Sequence, residues 1–138
     1  MLIVRGREDH MTITEVGEKY GLTPDTLRYY ERIGLIPSVN RKRGGVRDYT
    51  EEDCRWVEFA KCMRAAGLSI EVLLEYLALF ERGDETIEKR KRLLIEQRDQ
   101  LAARIEEMRD TLKRLDGKIQ KYEEGWFTGK KRESETAP

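Results

Sequence analysis

Apolar residues recur at helical spacing once the organised part of the chain begins. Ile13, Val16, Tyr20 and Leu22 mark a short amphipathic helix over about Thr14 to Tyr20. Thr12 or Thr14 is placed to cap it, and Gly21 to end it in the left-handed conformation. Thr23 then caps a second helix, with Pro24 at the first position, where a missing N–H costs nothing. Leu27, Tyr30 and Glu31 fill its turns, and Gly34 and Pro37 stop it. Helix, three-residue turn, helix is the arrangement that enters a DNA major groove.

The pattern then changes period. Val39 to Tyr49 reads as a two-stranded hairpin turning at Gly44-Gly45. Thr50-Glu51-Glu52-Asp53 resembles a capping box with Asp in place of Glu. It predicts a third helix to Ala66, with Trp56, Phe59, Ala60 and Met63 as the buried stripe. Gly67 ends that helix. Ser69 caps a fourth, which should bury Ile70, Leu73, Leu74, Leu77 and Phe80.

After a connector over 81–85, a long helix is predicted over 86–122. Leu94, Leu101, Met108, Leu115 and Tyr122 recur every seven residues, and Ile105, Leu112 and Ile119 form the complementary row. The remaining positions are almost all polar. Only a second helix of the same kind offers this stripe a place to bury, so the expectation is a homodimer of either orientation. Gly117 should weaken the helix locally, by about 1 kcal/mol relative to Ala. The fold class is therefore mostly α: a winged helix-turn-helix head over 11–80 with a small β-hairpin wing, followed by a long dimerisation helix forming a coiled coil. A leader over 1–10 lacks periodicity, so Met11 is an alternative start to Met1, and a disordered leader is the other reading. The tail over 123–138 is polar and expected to be disordered, unless Trp126-Phe127 folds back onto the dimer.

Composition sharpens this picture. Of 138 residues, 38% are hydrophobic and 39% charged, a balance that suits a small core attached to a solvated helix. The formal net charge is zero, but it is polarised. Arg28 to Arg47 holds six bases (Arg28, Arg32, Arg41, Lys42, Arg43, Arg47) against one acid, Glu31, whereas Asp48 to Glu88 holds eleven acids and four bases. One face can thus dock on phosphate. No apolar run is long enough to span a bilayer, no signal peptide opens the chain, and two cysteines without framework spacing suit a reducing cytoplasm.

The partner implied is double-stranded DNA. Asp25, Thr26 and the N–H groups of the first turn of the second helix face the major groove. Arg28 and Tyr29 suit phosphate oxygens, and Arg43 and Arg47 reach the flanking backbone from the hairpin. Thr14, Thr23 and Tyr49 complete the candidate contact set. Catalysis finds no support: there is no nucleophile–base pair, glycine-rich phosphate loop or metal cluster. No cofactor is implied.

Ile13-x-x-Val16, Gly21-Leu22-Thr23, Thr26-Leu27-Arg28-Tyr29-Tyr30-Glu31, Ile33-Gly34-Leu35-Ile36 and Arg47-Asp48-Tyr49 closely resemble the MerR family of bacterial transcriptional regulators. Gly17 departs from the family, which usually has Ala there, and should loosen the first helix. The resemblance implies a dimer on an over-long promoter spacer, working with RNA polymerase by bending and untwisting that spacer. Metal-sensing members carry cysteines at the start of the dimer helix and in a loop beyond it. This chain has none after Cys62, and its only histidine is His10, so no metal site is expected.

Lys61-Cys62-Met63-Arg64-Ala65-Ala66-Gly67-Leu68-Ser69-Ile70 is similar to the AdhR/NmlR branch, which is associated with aldehydes and other thiol-reactive electrophiles through one cysteine on this helix. Cys62 matches that cysteine, and Lys61 and Arg64 could favour its thiolate. On residue pattern alone, Cys62 is a small half-buried packing residue on the flank of the helix. Cys54 sits behind three acids and reads as structural. The two thiols lie about 12 Å apart along one helix, beyond disulfide reach. Two rivals stay open: a MerR-type regulator without thiol sensing, controlled by a partner or by its own concentration, and a coiled-coil adaptor whose head has lost DNA binding.

Overall fold

In the computed structural model, which describes residues 10–125, the first four helices each start on a hydroxyl side chain. Helix α1 (Ile13–Tyr20) begins at Thr12, whose Oγ1 accepts from the Glu15 N–H while the Glu15 carboxylate accepts from the Thr12 N–H. Helix α2 (Pro24–Ile33) begins at Thr23, α3 (Glu51–Ala65) at Thr50 and α4 (Ile70–Glu81) at Ser69. The Thr50–Asp53 pair closes a full capping box, so the shorter carboxylate serves as Glu would. Gly21 and Gly34 end α1 and α2 at φ of 69° and 85°, where a side chain would be strained. A 3₁₀ turn (Asp84–Thr86) leads into the long helix α5 (Ile87–Glu123).

The core gathers where α1, α2, α3 and the segments between them meet. Val16, Leu27, Leu35, Ile36, Val39, Tyr49, Val57, Ala60, Leu68 and Leu73 are all buried there. Val16 of α1 and Leu27 of α2 are both fully buried in this cluster, so each helix turns its apolar side to the same core.

Two sequence expectations need correction. The Val39–Tyr49 segment forms no extended strands: Arg41 bridges Arg47, and Met11 bridges Tyr49. The turn itself falls where predicted, with Gly44 and Gly45 both at positive φ and the Lys42 N–H donating to the Val46 carbonyl. With so few residues on either side, the ladder ends before a strand can extend. In α3, the phase of the stripe is also shifted. Cys54, Val57 and Ala60 are buried, while Trp56, Phe59 and Met63 are half-buried. In α4, Leu73, Leu77 and Leu79 are buried, whereas Phe80 is exposed. Helical spacing places Trp56, Phe59 and Phe80 on the predicted buried stripes of α3 and α4. Instead they pack on the flank of the core: Trp56 meets Phe80 edge to face at 5.0 Å, and Phe59 meets Tyr76 at 5.3 Å with the rings tilted by 33°, between ring centroids.

The chain divides into two compact units within α5, after Gln97. In the first, Thr86 is almost fully buried and joins α4 to the start of α5. Its hydroxyl faces the Leu79 carbonyl at 2.6 Å and the Gly83 carbonyl at 2.8 Å, and it accepts from Arg90 Nε. The Arg90 guanidinium also lies over the Phe80 ring, tying the helix to the aromatic cluster. In the second unit, helical throughout its described length up to Glu123, the predicted stripe is largely bare. Ile105, Met108, Leu112, Leu115, Ile119 and Tyr122 are all exposed, Met108 by 70%. The expectations for the leader and for Trp126-Phe127 fall on 1–9 and 126–138, outside the described residues; His10 is described, and its Nδ1 meets Asp48 Oδ2 at 2.9 Å.

Candidate nucleic-acid interface

The turn Gly21-Leu22-Thr23 holds α1 and α2 close together. The Leu22 N–H donates to the Gly17 carbonyl at 2.9 Å, and a Cβ on Gly17 would sit 2.6 Å from the Leu22 carbonyl oxygen. Gly17 therefore does more than loosen α1. It admits a close backbone approach at the turn that orients α2.

The first turn of α2 presents polar groups already organised among themselves. Thr23 Oγ1 accepts from the Thr26 N–H and donates to Thr26 Oγ1 at 3.0 Å, so Thr26 keeps its own hydroxyl proton to offer. Asp25 Oδ1 accepts from Arg28 Nη1 at 2.8 Å, with both side chains well exposed. That pairing balances an acid that would otherwise repel phosphate. The Arg32 guanidinium lies over the exposed Tyr29 ring at 5.3 Å, a contact that sequence reasoning did not single out. Thr14 is exposed on α1.

On the wing, Arg43 stands exposed at the glycine turn, beside Arg41 and Lys42. Arg47 is mostly enclosed, and its Nε donates to Glu31 Oε1 at 2.7 Å. Glu31 Oε2 also accepts from the Val39 N–H at 2.9 Å. Burial works against the charge on Glu31. The hydrogen bonds from Arg47 and Val39, and the charges of Arg47 and Arg41, outweigh burial and hold its carboxyl below the ordinary value. Tyr49 does not fit its expected role in DNA contact. It is 0% exposed, its hydroxyl has no hydrogen-bond partner among the described residues, and burial raises its pKa. It packs in the core as the end of the wing, paired through its backbone with Met11. Thr14, Thr23, Asp25, Thr26, Arg28, Tyr29 and Arg43 belong to the exposed or half-exposed surface of α1, α2 and the wing.

Cys62 is exposed on α3, against the half-buried packing role considered from pattern, whereas Cys54 is buried with its Sγ 3.9 Å from Met11 Sδ. Burial pushes the Cys54 thiol up, opposed by Lys19 and Tyr20. The flanking cations are drawn away from Cys62. Arg64 Nη1 donates to the Leu68 carbonyl at 2.6 Å, and Lys61 Nζ reaches toward Gly21 at the end of α1. Positions one and two residues away do not share a helix face in any case. No cluster of His, Cys, Asp or Glu suited to a metal ion occurs among the described residues, and no described helix is long and apolar enough to cross a membrane.

Comparison with known proteins gives a consistent picture. The MerR HTH family regulatory protein pattern matches residues 11–79, and a MerR DNA-binding pattern matches 54–118. The transcriptional regulator AdhR of Bacillus subtilis is 59% identical over 91 residues, covering 66% of this chain and 65% of that protein, just under two thirds of its length. An HTH-type transcriptional regulator of Haemophilus influenzae is 31% identical across 86% of this chain and 87% of its own length. Among solved structures, a MerR family regulator from Listeria monocytogenes superposes with a TM-score of 0.79 at 52% identity, covering 82% of this chain and 86% of that one. HiNmlR, described as a MerR family regulator lacking the sensor domain and bound to promoter DNA, also gives 0.79 at 30% identity, covering 87% and 95%. These relatives are regulators of transcription rather than enzymes.

Proposed function

From the premise that this chain belongs to the MerR family of helix-turn-helix regulatory proteins, and to its AdhR/NmlR branch, we propose that it is a dimeric cytoplasmic regulator induced by an electrophile at Cys62. The observation that carries the DNA-binding part is the exposed polar first turn of α2 beside the basic wing. Arg28, Tyr29, Arg43 and the terminal nitrogens of Arg47 take phosphate oxygens, while Thr26 and Asp25 meet the major groove. Two heads on one dimer grip both sides of a promoter spacer. Bending a site of 20–30 base pairs by 40–90° costs on the order of 1–6 kcal/mol, which the phosphate contacts offset. RNA polymerase then finds its two recognition elements aligned.

The signal reading rests on Cys62 being exposed and on the likeness to AdhR. An aldehyde or similar electrophile adds to the Cys62 thiol. Phe59 lies one turn before Cys62 on α3, so an adduct stands beside the aromatic cluster of Phe59, Tyr76, Trp56 and Phe80. Phe80 leads on to Arg90 and the first turn of α5. A shift in that packing changes the spacing of the two heads.

The test of the DNA-binding part is the salt dependence of binding to DNA upstream of the protein's own gene. Affinity should fall linearly in log–log form, losing about 0.9 in slope for each phosphate neutralised. No binding even at low salt would favour a coiled-coil adaptor instead.

A further inference from the structure

Glu31 is the one acid between Arg28 and Arg47, and its side chain is only 11% exposed. An acid beside a DNA backbone repels phosphate, so charge alone predicts that its removal strengthens binding. The geometry predicts the opposite. Glu31 lies on the last turns of α2. Oε2 accepts from the Val39 N–H, where the chain sets out into the wing, and Oε1 accepts from Arg47 Nε, where it returns. One carboxylate thus pins both limbs of the wing to the recognition helix. Bonding through Nε leaves the terminal Nη groups of Arg47 for another acceptor.

We propose that Glu31 is a positioning residue for DNA binding: it fixes the wing to α2 and aims the outer edge of the Arg47 guanidinium at a phosphate. The wing needs such a clamp because the Arg41–Arg47 bridge is its only strand pairing beyond the segment's end at Tyr49, among the described residues. The inference rests on the proposed phosphate contact of Arg47.

The experiment measures binding of the full-length protein to its upstream duplex, for wild type, E31Q, R47A and the double variant, across a range of salt. E31Q removes the charge but keeps the shape and an acceptor for Val39. It should weaken binding roughly tenfold to hundredfold. It should also flatten the salt slope by about 0.9, as R47A does. The double variant should bind no worse than R47A alone, because Glu31 acts through Arg47. E31Q binding as well as or better than wild type would overturn the proposal, and so would a loss that adds in full to that of R47A. If R47A itself binds like wild type, the phosphate role of Arg47 fails first and the positioning role falls with it. Should E31Q prove too unstable to assay, R47K carries the test. Lysine keeps the charge but cannot serve Glu31 and a phosphate through separate nitrogens, so it should bind as weakly as R47A. Wild-type affinity in R47K would overturn the proposal.

Discussion

Cys54 and Cys62 lie about two turns apart on α3 and meet different surroundings. Cys54 packs in the core, and burial raises its pKa, so little thiolate is present at neutral pH. Cys62 stands in solvent. A brief treatment of the native protein with iodoacetamide near pH 7.5 should therefore label Cys62 and spare Cys54 until the protein is unfolded. Peptide mass spectrometry reads the two sites separately, and labelling of Cys54 at a matching rate would show that α3 opens readily. Sequence alone identified Cys54 as structural through the three acids before it. Pattern alone left Cys62 open between a half-buried packing residue and a sensor, because exposure depends on the phase of α3 against α2 and α4, and that phase is set by packing. The role of Glu31 left a legible trace: one acid in a run of bases is out of place unless something holds it. Which groups hold it depended on the path of the wing.

The elements were legible wherever local chemistry decides. Hydroxyl caps, Pro24, Gly21 and Gly34 have strong positional preferences, so α1 to α4 begin and end within a residue or so of expectation. The wing was less legible, since a glycine turn states where the chain reverses but not how far the ladder extends on either side. Long α5 was plain from its heptads. Gly117 lies on the outward side of that pattern, two residues after Leu115 and two before Ile119, and a Cβ there would meet nothing within 4 Å. Gly117→Ala should thus stabilise the helix by about 1 kcal/mol. Thermal melts followed by circular dichroism should show a higher midpoint; an unchanged or lower one would place this position in a contact rather than in solvent.

At the scale of the molecule, the exposed row from Ile105 to Tyr122 is the feature a single chain does not satisfy. Each such side chain, once buried, contributes about 1.5–3 kcal/mol. A symmetric dimer uses each residue twice. Leu112→Glu should therefore raise the dissociation constant of the dimer by about 100-fold or more. Analytical ultracentrifugation would then find monomer at concentrations where the account expects wild type to dimerise, with DNA affinity falling in step. A wild-type dimer in that variant would rule out the heptad row as the interface.

The most direct test of the whole account is transcription in vitro from the DNA upstream of the gene, with and without an aldehyde, comparing wild type with Cys62→Ser. The account predicts that both proteins control the promoter and that aldehyde changes output only with wild type. Promoter control that responds identically to aldehyde in both proteins would contradict sensing at Cys62. Absence of any promoter control by either protein would contradict the regulator itself.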